Sequence, residues 1–589
     1  MLPTAMAHPI QAVQELAGAA GADPRPLQRT TVFQGLNDGP ATLAAKITGV
    51  SKGGKREDDA LYHTNNDGRP WPTPTHSKLS TDTNCRKEWS ILVSGSGAFG
   101  YFETTKDVSH LTKVGMLNLP RSPGHALTRG NKAHFLRGSG VRAPIFIRYS
   151  TVTLGREFPD LARNPRGFAV KFYTGEGNYD IVGLNFPVFF CRDPIQGPDV
   201  IRSQGRRPDN FLLDYNATFD LLAHTPEANH AGMMFFSDHC TPNGWHSNHG
   251  YGCHTFKWVN KEGKFVYIKY HFIADKGQKQ FTRQEAVEMS GINPDYSKQE
   301  LWQAIERGDP ISYTAHVQVM QPEEADPVKL GFDPFDVTKV WPRDQFPMQE
   351  FGKLHVTKNP ENYHRDVDQA CFSPGAMVPG IEDSPDPLLQ FRMFFYRDAQ
   401  FHRVGTNYHQ IPVNCPFMAA SMSSLNFDGV MRTDANNGGN PDYAPNSFEP
   451  LTRFRPDTAE APYKVSDSVV SRKSHFYHEG KLSDYDQPRV LYEKVMTDTQ
   501  RDHLHSNTAV MLAQVSEPKI QVLYLGQQYC IKPSYARAIY DLLPEKKFDF
   551  SEVENAAKGA ETRTKDPHFM HNNDQERLVG LPVAGVYNF

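Results

Sequence analysis

Between about Ser90 and Met320 the chain returns again and again to one pattern, short runs in which β-branched and aromatic residues alternate with polar ones. The runs are Ala143 to Val152, Gly167 to Thr174, Ala231 to Phe236, Lys264 to Phe272 and Tyr313 to Met320. Alternation of this kind sends successive side chains to opposite faces, as in antiparallel strands. A closed antiparallel barrel accounts for them, because closure removes exposed edges and leaves a surface against which a flat molecule can pack. Helical segments around Arg283 to Ser290 and Lys298 to Ile305 decorate the barrel. From Gln487 to Leu543, Val490, Leu491, Val495, Leu504, Val510, Leu512, Val515, Ala536, Ile539 and Leu542 recur at helical spacing. The predicted class is α+β, with a barrel, a long wrapping connection and a C-terminal helical domain.

A length of 589 residues exceeds what one simple core organises. Five segments are predicted. Residues 1–89 form an extended arm, with a short helix from about Ile10 to Ala20 and Pro-rich stretches such as Trp71-Pro72-Thr73-Pro74-Thr75. Residues 90–350 form the barrel, within which Gly115 to Asn131 reads as a loop. Residues 351–486, rich in Pro, Asn and Gly, form the connection. Residues 487–545 form the helical domain. Residues 546–589 form a polar tail, expected to be partly disordered or to lie along the surface.

Lys plus Arg number 63 against 67 Asp plus Glu, a net charge of -4, which is too balanced for a nucleic-acid or membrane-surface partner. A small-molecule substrate is expected instead. Seven cysteines, odd in number and without paired spacing, argue for a reducing compartment. There is no apolar run of about 20 residues, no secretory pattern at Met1-Leu2-Pro3-Thr4, and no Ser-Lys-Leu type address in Val586-Tyr587-Asn588-Phe589. The expected location is cytoplasmic, with a peroxisomal one second.

The chemistry is read from Phe391-Arg392-Met393-Phe394-Phe395-Tyr396-Arg397-Asp398. Arg392 and Tyr396 stand four apart and share a helix face. A tyrosine ligates iron as phenolate, and its free pKa of about 10 must be pulled down by a fixed positive charge one turn away. That is what a Tyr-ligated haem needs, and an amphipathic helix with a core tyrosine and a surface arginine shows the same pair, so the surroundings must decide.

Further motifs appear in order: Gly95-Ser96-Gly97-Ala98-Phe99-Gly100-Tyr101-Phe102-Glu103, Ile147-Arg148-Tyr149-Ser150-Thr151-Val152, Asn164-Pro165-Arg166-Gly167-Phe168, Pro187-Val188-Phe189-Phe190-Cys191-Arg192-Asp193-Pro194, Asn248-His249-Gly250-Tyr251-Gly252-Cys253-His254, Phe335-Asp336-Val337-Thr338-Lys339-Val340-Trp341-Pro342 and Ile411-Pro412-Val413-Asn414-Cys415-Pro416. As an ordered set, from roughly Gly95 to Leu543, they resemble the monofunctional haem catalases. The resemblance implies a catalase-like barrel, ferric haem b, Tyr396 as the axial metal ligand and Arg392, His254 and Asp386 as a hydrogen-bonded chain behind it. It implies Arg148 and Arg403 as holders of the propionates, Phe189 and Phe190 as haem neighbours, and a homodimer or homotetramer threaded by the arm.

The chain departs from the family on the other side of the haem. Leu92 stands where the family has its distal histidine, Leu184 where it has the distal asparagine, and Gly197 where an aromatic narrows the pocket. Trp89 replaces a propionate-binding arginine, and Asn164 an acidic residue of the substrate channel. Family contacts to NADPH match at His230, Ser237 and Tyr251, but the two phosphate-holding cations correspond to His239 and Ile273, so NADPH is the lesser cofactor expectation. Leucine has no proton to move between the oxygens of a peroxide, and losing that assistance costs about 10²- to 10⁴-fold. Three functions are open. The first is an oxidoreductase that uses oxygen species to oxidise, or cyclise, an organic molecule, similar to the family's alkaloid-forming chanoclavine synthases. The second is a divergent hydrogen peroxide catalase that recruits His63 or His76 as base. The third is a non-catalytic haem-binding protein.

Overall fold

The computed structural model describes residues 94–108, 110–112, 142–207, 209–260, 262–417, 426–436, 438–441, 443, 447 and 484–565. The arm with Trp89, Leu92, His63 and His76, the loop from Gly115 to Asn131, and the chain after Lys565 lie outside the described residues. In chain order the elements are β1 (Gly95–Thr104), β2 (Arg142–Ser150), β3 (Gly167–Thr174), β4 (Gly177–Leu184), α1 (Gly197–Ser203), α2 (Tyr215–His224), α3 (Asn229–Phe236), β5 (Gly250–Tyr251), β6 (Phe256–Val259), β7 (Phe265–Ala274), α4 (Arg283–Ile292), α5 (Tyr296–Glu306), β8 (Ile311–Met320), β9 (Gln349–Lys358), β10 (Ile381–Asp383), α6 (Pro387–Arg403), α7 (Asp486–Val490), α8 (Asp498–Leu512), α9 (Pro518–Ile531), α10 (Pro533–Leu542) and α11 (Phe550–Lys565).

The strands are antiparallel and close on themselves in the order β7-β5-β4-β3-β2-β1-β9-β8, with β8 pairing back to β7. That ring of eight fits the expected barrel. Alternate residues point inward: Ile145, Ile147 and Tyr149 on β2, Phe168, Val170 and Phe172 on β3, Ile268, Tyr270 and Phe272 on β7, Tyr313, Ala315 and Val317 on β8. Inside, the Tyr149 and Tyr313 hydroxyls meet at 2.9 Å, so neither phenol is buried without a partner. Outside the ring, β6 and β10 branch from β7, with Asp383 opposite Phe256.

Four expectations are corrected. The run Ala231 to Phe236 is helix, within α3, rather than strand; seven of its eight helix residues are buried, and a run buried all round shows neither the strand nor the helix period. The connection predicted from 351 gives up its start to the barrel, because β9 pairs with β1 and β8. The tail predicted after 545 contains α11, whose Val553, Ala557 and Ala560 are buried. Gly526 permits that docking, since a Cβ there would lie 3.1 Å from the Ala556 Cβ. Finally, Val490, Val495, Val510 and Leu542 are exposed, whereas Leu491, Leu504, Leu512, Val515, Ala536 and Ile539 form the helical core as expected.

Candidate active site

Helix α6 owes its start to Asp386. The Oδ1 atom accepts from the Leu388 and Leu389 backbone amides, both at 3.0 Å, and Pro387 occupies the first turn, where a missing N–H costs nothing. The other carboxylate oxygen, Oδ2, lies 2.6 Å from His254 Nδ1. His254 Nε2 lies 2.6 Å from Arg392 Nη1, and Arg392 Nη2 donates to the Tyr396 hydroxyl at 2.9 Å. A guanidinium can only donate, so Nε2 accepts and the imidazole proton sits on Nδ1, donated to Asp386. Burial holds His254 below its ordinary pKa, against the opposing pull of Asp386, which agrees with a neutral ring. Arg392 is fixed further by a 3.2 Å bond to the Val182 carbonyl and by the Phe189 ring, 4.8 Å from its guanidinium carbon.

Between α6 and the outer face of the barrel lies a cavity of about 210 Å³. Its barrel wall is two rungs of the sheet. Arg148, Ala169 and Val182 face one another across β2, β3 and β4, and Ser150, Gly167 and Leu184 form the next rung. Small residues on the middle strand make this wall flat; a Cβ on Gly167 would stand 2.6 Å from Ser150 Oγ. The facing wall includes Leu388, Phe391, Arg392, Tyr396, Gln400 and Arg403.

Three cations line the cavity, Arg392 of the relay and, apart from it, Arg148 and Arg403, and among its described lining residues there is no Asp, Glu or His. Arg403 donates to the Ala370 carbonyl at 2.8 Å, to Gln400 Oε1 at 2.6 Å and to the Asp368 carbonyl. Arg148 is lowered to about 10, chiefly by burial; Tyr363 opposes the shift and Arg403 adds to it. A half-buried pair of like charges on a cavity wall is a receptor for anions.

The structure also distributes the remaining predicted residues. Phe189 serves the relay, while Phe190 lines the cavity and packs against Phe186 and Phe235. Gly197 lines the cavity too, and the one atom within 4 Å of a Cβ built there is Phe391 Cε1, at 3.5 Å. The extra room anticipated at Gly197 is therefore bordered by Phe391, a residue the sequence reading did not single out. Asn164 does not line this cavity: its Oδ1 accepts from the Val152 amide at 2.6 Å and its Nδ2 donates to Thr153 Oγ1 at 2.7 Å. Of the residues matched to NADPH contacts, His230 bonds the Thr338 carbonyl at 3.2 Å and is pushed down to about 4 by burial. The Ser237 hydroxyl is 3.0 Å from His239 Nδ1. Arg343, beside Tyr251, is a cation the sequence reading missed there.

A family model described as Catalase matches residues 122–450 of this chain. The chain belongs to the catalase family. A second model, Catalase-related immune-responsive, matches residues 478–543, the stretch that holds α7 to α10. Among curated relatives, the Catalase of Methanosarcina barkeri is 40% identical over 469 residues, covering 79% of this chain and 86% of its own. The Peroxisomal catalase of Toxoplasma gondii is 40% identical over 438 residues, covering 74% and 82%. Among solved structures, catalase A from Saccharomyces cerevisiae superposes with a TM-score of 0.65 at 33% identity, covering 82% of this chain and 98% of its own. No helix among the described residues is long and apolar enough to cross a membrane.

Catalases are haem-dependent oxidoreductases, and the residues present in this family member fit that group. The flat Ala169 and Gly167 wall suits a planar macrocycle, the Arg148 and Arg403 pair suits its two carboxylates, and the relay presents a single oxygen, that of Tyr396, ordered by a cation.

Proposed function

We propose that this catalase-family chain is a haem-dependent oxidoreductase that uses a peroxide to oxidise an organic molecule, with hydrogen peroxide dismutation reduced to a slow side reaction. The carrying observation is the cavity wall. Among the described residues it offers no carboxylate or imidazole, and Leu184 completes the rung that holds Ser150 and Gly167. Moving a proton from one peroxide oxygen to the other needs a group titrating near the working pH, and its loss costs about 10²- to 10⁴-fold.

In this reading Tyr396 would hold the iron of ferric haem b through its phenol oxygen. Arg392 donates to the phenol oxygen, the neutral His254 fixes the guanidinium, and Asp386 fixes the ring tautomer. Arg148 and Arg403 hold the propionates, and Phe189 and Phe190 border the macrocycle. Bound haem supplies the oxidising iron; the chain supplies orientation, an apolar wall and an anion-stabilising relay. NADPH belongs to the proposal in a minor place, because His239 and Ile273 stand where the phosphate-holding cations are expected, although Arg343 lies beside Tyr251. A homo-oligomer, dimer or tetramer, is the assembly we propose, and oxidation or cyclisation of an alkaloid precursor is one chemistry open to such a site.

The second reading, fast dismutation of hydrogen peroxide, is favoured by the 40% identity to proteins named catalase. Haem-loaded protein separates the two. We expect weak oxygen evolution from hydrogen peroxide together with peroxide-dependent oxidation of an aromatic amine or phenol. Oxygen evolution at the rate of a control catalase, with no such oxidation, refutes the proposal.

A further inference from the structure

Outward of the first cavity lies a second, of about 330 Å³. The two share Thr153 and Gln204 in their walls, and a single 3.1 Å hydrogen bond from Thr153 Oγ1 to Gln204 Oε1 stands at the junction. Rotating two side chains about their own bonds would break it, with no movement of backbone.

The outer cavity is apolar at its mouth. Val287 of α4 is 60% exposed, and Leu213 and Val510 also line the opening half-exposed. Phe211 and Leu212, next to Leu213, are 71% and 61% exposed, and Phe211 has a φ of 59°. Holding a large aromatic in the left-handed region and in water is unfavourable on both counts. Exposed apolar side chains gathered around one opening mark a binding surface rather than chance.

The same cavity carries a polar feature of one sign. Arg163 lines it with a side chain only 9% exposed. Nη1 is pinned by the Phe235, Phe236 and Ser237 carbonyls, whereas the buried Nη2 has no hydrogen-bond acceptor. The carboxylate nearest to it, Asp238, is 4.0 Å away and is engaged by His503 at 2.5 Å and Asn507 at 3.1 Å. Arg283 lines the cavity as well, and Arg163 senses it as a like charge. Asp214 is in the wall, but its Oδ1 caps α2 by accepting from the Asn216 amide at 3.0 Å. A buried guanidinium edge without an acceptor, beside a second guanidinium, is satisfied by an anion with two oxygens.

We propose that the outer cavity binds an amphipathic carboxylate, its head group against Arg163 and Arg283 and its hydrocarbon chain along Leu213, Val287 and Val510. This deepens the preceding reading, on which it rests for its catalytic meaning: the bound molecule stands one hydrogen bond away from the cavity beside Tyr396. Binding itself can be measured without turnover.

The test is calorimetric titration of the haem-loaded protein with decanoate, decanol and decyltrimethylammonium. Decanoate is expected to bind at least about tenfold more tightly than decanol, the size of one charge-assisted hydrogen bond, and the cation not at all. Arg283→Gln, on an exposed side chain, weakens decanoate about tenfold and leaves decanol unchanged. Val287→Glu weakens both. Equal affinity for acid and alcohol, indifference to Arg283→Gln, or the absence of binding overturns the inference. So does a Val287→Glu change in sedimenting mass with unchanged decanoate affinity, which would make the patch a contact between copies. Failed decanoate binding with peroxide-dependent oxidation intact sinks this inference alone; decanoate binding with fast oxygen evolution sinks the earlier reading alone.

Discussion

Asp386→Asn tests the relay more severely than a truncation would. The wild-type carboxylate takes the Leu388 and Leu389 amides on Oδ1 and the His254 Nδ1 proton on Oδ2. An asparagine with its oxygen at the Oδ1 position keeps the helix cap but turns an NH₂ group toward His254 Nδ1–H, donor against donor at 2.6 Å. If the ring moves its proton to Nε2, the conflict shifts to Arg392 Nη1, again at 2.6 Å. If the amide flips, the NH₂ faces the two backbone amides and the cap is lost. No arrangement is free of conflict, and with both side chains 1% exposed no water can relieve it. Losing a charge-assisted bond removes about 1.5–3 kcal/mol, and an unmet buried donor adds about 1–3 kcal/mol, so a loss of about 3–5 kcal/mol is expected. Asp386→Ala loses the cap, about 1 kcal/mol, and the same charged bond, but brings no new donor. The isosteric variant should therefore unfold at a urea concentration no higher than the alanine variant, and its ferric spectrum should show a weakened phenolate band. An Asp386→Asn protein as stable as wild type would refute both the tautomer and the direction of the relay.

Burial lowers His230 to about 4 and His271 to about 3 from an ordinary 6.5, and lowers His254 too. A group depressed in the folded state binds protons in the unfolded chain first, so the histidines' contribution to stability is constant above about pH 6.5 and falls from there to about pH 4 for His230 and about pH 3 for His271, whereas Asp333, raised to about 7 by burial, contributes with the opposite sign; His230 alone accounts for up to about 3 kcal/mol. Urea midpoints of wild type and His230→Gln should diverge across that range, the wild type losing more as the pH falls, and a constant difference would refute the burial of a neutral His230. Gly197→Phe drives a ring into Phe391 and should cost about 1–3 kcal/mol with poorer haem uptake, while the double variant Gly197→Phe, Phe391→Gly recovers most of it; additive losses would deny the contact. Gly526→Val pushes α11 off α9, because even a Cβ stands 3.1 Å from Ala556. Proteolysis after Phe550 should accelerate, and unchanged cleavage would contradict the docking of α11.

The barrel was legible wherever one face is wet or differs in chemistry from the other. Tyr313 to Met320 and Gly167 to Thr174 alternate because the ring interior takes every second residue. Strand β9 alternates as well, with Phe351, Leu354 and Val356 buried, but it follows a Pro-rich stretch, and its register shifts opposite Ala315 and His316 hide the period. Segment α3 defeated periodicity because it has no wet side. In the site, helical spacing alone put Arg392 and Tyr396 on one face, as any amphipathic helix would, and their meaning came from the motifs around them. His254 and Asp386 lie 132 residues apart and came only through family likeness, as no local pattern joins them. Phe391, Arg163 and Arg283 stayed unread for the same reason: their meaning lies in what the fold sets opposite them.

The short branch off the ring, β6 with β10, explains where that join comes from. Its ladder ends with Phe256 opposite Asp383, two residues after His254 and three before Asp386. The meeting of imidazole and carboxylate is thus inherited from a backbone register, and slipping the ladder by one residue would turn both side chains away from each other. Mutations at wall positions outside the relay, such as Leu184 and Gly197, leave that clasp untouched, so the hold on Tyr396 and the shape of the cavity can drift independently over evolutionary time.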